Sequence, residues 1–459
     1  MTKSLFDDFN SVSAKAWKQK IQLDLQGEEY QNIIWKSPEG IDVKPFYTLE
    51  DLQDFSHDIN MPNSWSICET IYTKNGEDAN AKALYSLSKG SDSLKFIIPN
   101  TAVSVSEMLQ GIDTSSTHVY ADLSFLDASF IINNWRDHNI NFNIDIIGNL
   151  TRSGNWYIDL KNDFNHFKNI VRKTHRISID GTGYQNAGAN VAQEVAYVLA
   201  HTNEYLNCIY NDDILRLQFE KKLDVTIHLF VKIAVGSNYF FEIAKLRAIR
   251  LLINKLCLEY HFKIDLCLEV TPSKRNKTLY DYNTNMIRTT TEIMSAILGG
   301  ANLINNLDYD ALYHKKNEFG SRISRNQLLI LKHESYFNSV KNASDGAYYI
   351  ESLTNQLAKK SLLLFKKIEN NKGFISQLFK GTIQRKIKES ATKEQHSFDI
   401  NTEILVGTNK YQNPNDKMQN ELELYPFKKT KVRKTLIEPI IETRLSETIE
   451  KERLKNEKK

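Results

Sequence analysis

A (β/α)8 barrel with an N-terminal arm and a charged C-terminal extension is the fold class this sequence predicts, on three observations. From about residue 60 to 375, short β-rich runs alternate with longer segments of helical spacing. Strand and helix repeating in that order give parallel strands joined by right-handed crossovers, and six to eight such units build a closed barrel. The flanking segments differ from this middle in composition. A doubly wound open sheet is the alternative the pattern leaves open.

Residues 1–60 combine a helical pattern (Phe6, Phe9, Trp17, Ile21, Leu25) with an extended stretch, WKSPEGIDVKPFY, where Pro38 and Pro45 interrupt any helix. This predicts an arm laid over a surface. The barrel is expected over 61–378. Its clearest strands are LKFII near 95, HVYADL near 118, FNIDII near 142, RISID near 176, LFVKIAV near 229 and KIDLCLEV near 263, with a weaker run, NLI, near 303. NVAQEVAYVLAHTNEYL is a helix with Val191, Val195, Val198 and Leu199 on one side. SNYFFEIAKLRAIRLL is another, with Phe241, Ala244 and Ala248 inward and Lys245 and Arg247 read as solvated cations. Residues 379–459 read as a charged linker ending in a helix with Ile441, Leu445 and Ile449 along one face. That helix packs on the barrel or docks a partner chain. The basic run 428–434 reads as solvated.

Composition bounds the function. The net charge of +3 gives no reason to infer nucleic acid or a membrane surface as partner. No stretch approaches the ~20 apolar residues of a membrane span, and MTKSLFDDFN has the form of neither a signal nor a transit peptide. A cytoplasmic protein is expected. Cys68, Cys208, Cys257 and Cys267 form no C-x-x-C pair and read as buried thiols in a reducing compartment. The histidines never make H-x-x-x-H or H-E-x-x-H, which argues against a metal centre.

RISIDGTGYQNAGAN, 176–190, is the one candidate for a chemical turn. Gly181 and Gly183 begin a G-x-G-x-x-G, but Asn186 holds the third place and Gly188 comes two residues late, so it is no dinucleotide fingerprint. The glycines permit positive φ in a sharp turn toward a helix beginning near Ala189. In a barrel that turn lies at the face where active sites are built. Asp180 is read as capping a turn, since no histidine accompanies it, and Thr182 and Tyr184 have no evident activating base.

Beyond composition and spacing lies a resemblance. WKSPEGIDVKPFYT (35–48), SIDGTGYQNAGANVAQEVAYVLA (178–200), FFEIAKLRAIRLL (240–252), NMIRTTTEIMSAILGG (285–300), GSRISRNQLLILKHES (320–335), DGAYYIESLTNQLAKKS (345–361) and VGTNKY (406–411) resemble, in order, the signature blocks of the methylmalonyl-CoA mutase family. The resemblance implies a barrel with acyl-CoA threaded along its axis and a following cobalamin domain. Adenosylcobalamin there supplies a radical that interconverts methylmalonyl-CoA and succinyl-CoA.

Three departures bear on activity. Where catalytic members carry S-G-Y-H, this chain has Asp180, Gly181, Thr182 and Gly183, so the histidine that bonds the thioester carbonyl is missing and Tyr184 sits one place beyond. The family's Tyr- and Arg-rich block before W-T-I-R-Q is absent ahead of SWSICETIYTKNGEDAN, although Trp65 and Ile67 fit. No D-x-H-x-x-G, which holds the lower cobalt ligand, occurs. The resemblance therefore implies the small, non-catalytic chain of a heterodimer, shortened by the cobalamin domain. Its partner would be the large methylmalonyl-CoA mutase chain, which would carry the adenosylcobalamin; no catalytic, cofactor-binding or metal-ligating residue is assigned here. A working acyl-CoA mutase that borrows a separate cobalamin-binding subunit explains the missing domain equally well, but not the missing Tyr-His pair. A cofactor-loading partner with a GTPase domain would need a Walker A loop, and none is present.

Overall fold

The computed structural model describes residues 9–10, 12–52, 59–220, 225–429 and 433–457. Eight parallel strands form its centre: β1 (Ser66–Tyr72), β2 (Ser93–Ile98), β3 (His118–Leu123), β4 (Asn141–Asn143), β5 (Arg176–Asp180), β6 (Thr226–Val235), β7 (Lys263–Pro272) and β8 (Leu303–Ile304). They hydrogen-bond in the order β4-β3-β2-β1-β8-β7-β6-β5, with β8 pairing β1. Among the described residues no backbone ladder joins β4 to β5. That seam is closed instead by the Ser178 hydroxyl, which donates to the Ile144 carbonyl at 2.8 Å, and by the Asp180 N–H, which donates to the Asp145 carboxylate at 2.8 Å. The expected (β/α)8 barrel is what forms.

Two-residue alternation sets the faces of each strand. Ile177, Ile179, Ile227, Leu229, Val231 and Ile233 point outward into the buried layer beneath the helices. Burying each such side chain contributes about 1.5–3 kcal/mol. Ser178, Asp180, Phe230 and Lys232, the intervening residues, are left to face the axis.

Outside the strands, α1 (Val191–Tyr210) starts on a capping box: Asn190 Oδ1 accepts from the Gln193 N–H at 2.9 Å and Gln193 Oε1 from the Asn190 N–H at 3.0 Å. The helix α2 (Tyr239–Glu259) packs between α1 and α3 (Tyr348–Asn370). This corrects the reading of Lys245 and Arg247 as solvated. A helix covered by α3 as well as by the barrel has little wet face, and both cations are buried and paired. Lys245 meets Glu194 at 2.8 Å, Glu242 at 2.5 Å and the Ala234 carbonyl at 2.7 Å; Arg247 meets Glu351 and the Asn342 side chain.

Four further expectations change. FNIDII is a strand only through Asn143, because Asp145 caps the helix Ile146–Ser153. The clear strand Ser66–Tyr72 was not among the expected runs; the acidic Glu69 at its centre masks it. Much of the supposed linker is a helix, α4 (Thr382–Asp399), which buries Ile383, Ile387 and Phe398. The last helix, α5, covers only Glu447–Glu457, so Ile441 and Leu445 lie in the extended segment before it and share no helical face with Ile449. In the basic run 428–434, residues 430–432 lie outside the described residues, as does Phe6 in the arm. The helix Ala14–Asp24 carries Trp17 and Ile21, and an arm ribbon pairs Trp35–Lys36 with Asp42–Val43.

Candidate functional site

The turn after β5 sits at the C-terminal end of the barrel. Asp180 Oδ1 accepts from the Thr182 N–H at 3.2 Å and from its hydroxyl at 2.5 Å, so it caps the turn as expected. Its other oxygen meets Arg152 at 2.9 Å. Burial opposes charge on Asp180, but Arg152 and Lys232 outweigh it and hold the carboxyl well below the usual range. Such an acid is a poor general base at neutral pH.

The expected positive φ belongs to Gly188 (+101°) and not to Gly181 or Gly183. Gly181 is small for a different reason. A Cβ there would stand 2.7 Å from Val198 Cγ2 on α1. The principal helix opens at Val191, after a short turn of helix at Thr182–Asn186.

Tyr184 does have a histidine, which spacing along the chain could not show. Its hydroxyl lies 3.0 Å from His201 Nδ1, and His201 Nε2 lies 3.0 Å from Asp145 Oδ1, which also accepts from the Tyr205 hydroxyl at 2.6 Å. His201 stacks on Phe374 with ring centres 5.7 Å apart. Burial would raise the Asp145 carboxyl, but His201, Arg152 and the Tyr205 hydroxyl keep it lowered. This carboxylate–imidazole–phenol chain has the connectivity of a proton relay. Its two ends, Tyr184 and Asp145, are nevertheless 1% and 8% exposed, so no substrate reaches either. The relay pins α1 to the end of β4. The sequence signal was a lone histidine on the buried side of an apolar helix.

The barrel axis is crossed by side chains. Lys95 on β2 pairs with Glu269 on β7, and Lys232 on β6 pairs with Asp122 on β3; Lys95 also stands 4.0 Å from Asp122. Beneath this charged layer the rings of Tyr120 and Phe230 lie 4.9 Å apart, beside Cys68, Leu303 and Cys267. Burial alone would discharge Lys95 and Asp122. The opposite charges outweigh it, raising the ammonium and lowering the carboxyl. All four cysteines are free thiols; burial pushes Cys257 and Cys267 up to about 12 and Cys208 to about 11, which leaves them unreactive. Among the described residues no group of three or more His, Cys, Asp or Glu could hold a metal ion.

The C-terminal segment straps this face. The Ile440 N–H donates to the Thr151 carbonyl at 2.8 Å, Thr443 to Asn186 at 3.0 Å and Leu445 to Arg275 at 3.0 Å, so the segment crosses the short helices after β4 and β5 and the loop after β7 in turn. Arg444, buried, anchors it on the Lys277 carbonyl at 3.0 Å and on Glu450 at 2.6 Å. Trp65 and Ile67, the two residues that fit the family pattern near β1, are buried in the core. These residues do not fit a corrinoid: His201 is fully buried and has both nitrogens engaged, by Tyr184 and by Asp145.

The fold and site thus define a parallel (β/α)8 barrel whose axis is closed by its own ion pairs. Residues 142–456 match the family model for methylmalonyl-CoA mutase, and the chain belongs to the methylmalonyl-CoA mutase family. It is 30% identical to the methylmalonyl-CoA mutase small subunit of Porphyromonas gingivalis, over 90% of this chain and 71% of that one. The large subunit from the same organism is 30% identical over 61% of this chain and 39% of its own length. The methylmalonyl-CoA mutase of Rhizobium meliloti is 27% identical over 97% of this chain and 68% of that protein. Among the described residues no helix is long and apolar enough to cross a membrane.

Proposed function

We propose that this chain is a non-catalytic, cytoplasmic subunit that pairs with a large methylmalonyl-CoA mutase chain, which carries the adenosylcobalamin and performs the rearrangement. The observation that carries this reading is the pair of ion bridges, Lys95–Glu269 and Lys232–Asp122, spanning the axis along which an acyl-CoA would have to pass. Threading a thioester through it would separate the buried pair Lys95–Glu269, at a cost of several kcal/mol, and the half-buried pair Lys232–Asp122 as well. Neither hydroxyl of the turn after β5 is free for the thioester, because Thr182 is spent on Asp180 and Tyr184 is buried against His201.

What remains for such a chain is to bind. Its helix Ala14–Asp24 buries no side chain on its own barrel, and Trp17 and Leu23 are 50% and 74% exposed. Apolar groups so presented suit a partner surface. The arm, the barrel (61–378) and the extension (379–459) would then divide the work of partner contact and scaffold.

The test is to purify the chain alone and together with a large mutase chain. Alone, with adenosylcobalamin and methylmalonyl-CoA, it should give no succinyl-CoA and no calorimetric heat with the CoA ester. Mixed, the two should co-elute and turn over. Turnover or tight CoA-ester binding by this chain alone would instead favour a working mutase barrel served by a separate cobalamin-binding subunit.

A further inference from the structure

Between the strap and the C-terminal face lies a cavity of about 660 Å³ that the non-catalytic reading leaves without a task. Such a volume is within the range that encloses a small organic ligand. Its chemistry is divided. One part is apolar, lined by Leu307 and Leu312 after β8 and by Phe427 and Ile440 from the extension. The other part is cationic.

Counting partners shows which charges are available there. Four lining cations are neutralised within the chain: Arg152 meets Asp180 at 2.9 Å, Lys274 meets Glu442 at 3.1 Å, Arg275 meets Glu394 at 2.5 Å and Arg444 meets Glu450 at 2.6 Å. The lining carboxylate Glu447 is also committed, accepting from the N–H groups of Arg444 and Lys428 at 3.0 Å each. Lys428, Lys429 and Arg433 line the same cavity and have no carboxylate partner among the described residues. Arg433 places one N–H on the Ser153 carbonyl at 2.5 Å, which orients the guanidinium without cancelling its charge.

We propose that this cavity binds an amphipathic organic anion, its acid group held by Lys428, Lys429 and Arg433 and its apolar body lying over Leu307, Leu312 and Phe427. Three unneutralised cations beside an apolar floor select for a ligand carrying both features, since a bare anion would leave the floor wet and a neutral apolar molecule would leave the cations unanswered. The inference rests on the geometry under the strap and is independent of the heterodimer.

The probe is 8-anilinonaphthalene-1-sulfonate, titrated by fluorescence into the whole chain, with uncharged N-phenyl-1-naphthylamine as control. One sulfonate should bind per chain, and the triple variant Lys428→Glu, Lys429→Glu, Arg433→Glu should bind it at least tenfold more weakly with its melting temperature unchanged. These side chains are exposed, so the fold should tolerate reversal; the Gln versions of the same triple serve if it does not. Octanoate and octyl phosphate should compete, and the stronger of the two identifies the acid group. Equal affinity for the neutral dye, unchanged sulfonate binding in the triple variants, or failure of both competitors would overturn the proposal.

Discussion

Lys95 and Glu269 pair from strands three places apart around the barrel, so their contact bridges the axis instead of following the wall. Their side chains are 7% and 2% exposed, which sets the scale of any loss. Glu269→Leu or Lys95→Met should each lower stability by about 3–5 kcal/mol, because one buried charge is left without its nearest counterion. The double variant Lys95→Met, Glu269→Leu should recover most of that. Urea unfolding of the four proteins measures the cycle, and single variants as stable as the parent would mean that the pair is solvated.

Stability should also fall as pH rises across the acidic range. Glu194 and Glu242 share Lys245 in the dry layer between α1 and α2, and burial first of all, then the neighbouring Glu242, pushes the Glu194 carboxyl from 4.5 up to about 7, against the pull of Lys245. A carboxyl raised in the folded state stabilises fully below about 4.5, and that contribution is lost as pH climbs to about 7. Glu369, raised by burial and by Glu204 to about 7, adds the same sign. Melting temperatures from pH 4.5 to 8 should show a downward component that Glu194→Gln flattens. A slope unaltered by the substitution would remove Glu194 as its source.

The turn at Gly188 holds the extension against the barrel. With φ at +101° and Ala391 of α4 directly over it, Cα 2.9 Å from where a Cβ would stand, Gly188→Ala combines backbone strain with overpacking. A loss of about 1–3 kcal/mol is expected, read as a lowered melting temperature, with faster proteolysis within Thr382–Asp399.

Tyr184→Phe tests the relay behind the turn. Removing the hydroxyl leaves His201 Nδ1 buried without its partner, a cost of about 1–3 kcal/mol. Thermal melts should show the loss. Subunit pairing and the partner's turnover should stay unchanged, and a fall in turnover without a fall in stability would give the relay a chemical part.

The barrel was legible because apolar alternation in β5, β6 and β7 is set by burial beneath the helices, a local and periodic demand. The capping of the turn by Asp180 was legible too, since Asp180 and Thr182 are near neighbours in the chain. What escaped was set by tertiary contact. Glu69 concealed β1 because its partners, Lys316 and Arg325, come from a loop and the helix after it, some 250 residues away. Lys245 and Arg247 looked solvated because nothing in their own helix announces the lid that α3 makes over it. His201 was visible as a residue but not as a relay, for its carboxylate lies 56 residues upstream.

Around most of its circumference the cylinder is woven, strand to strand, by main-chain ladders; between Ile144 and Ser178 and between Asp145 and Asp180 it is only laced, by two side-chain ties. A stave wall parts first along a laced line. Amide exchange at Asn141–Asn143 and Arg176–Asp180 should accordingly outrun that of β6 and β7, and this flank is where the cylinder would widen first under stress.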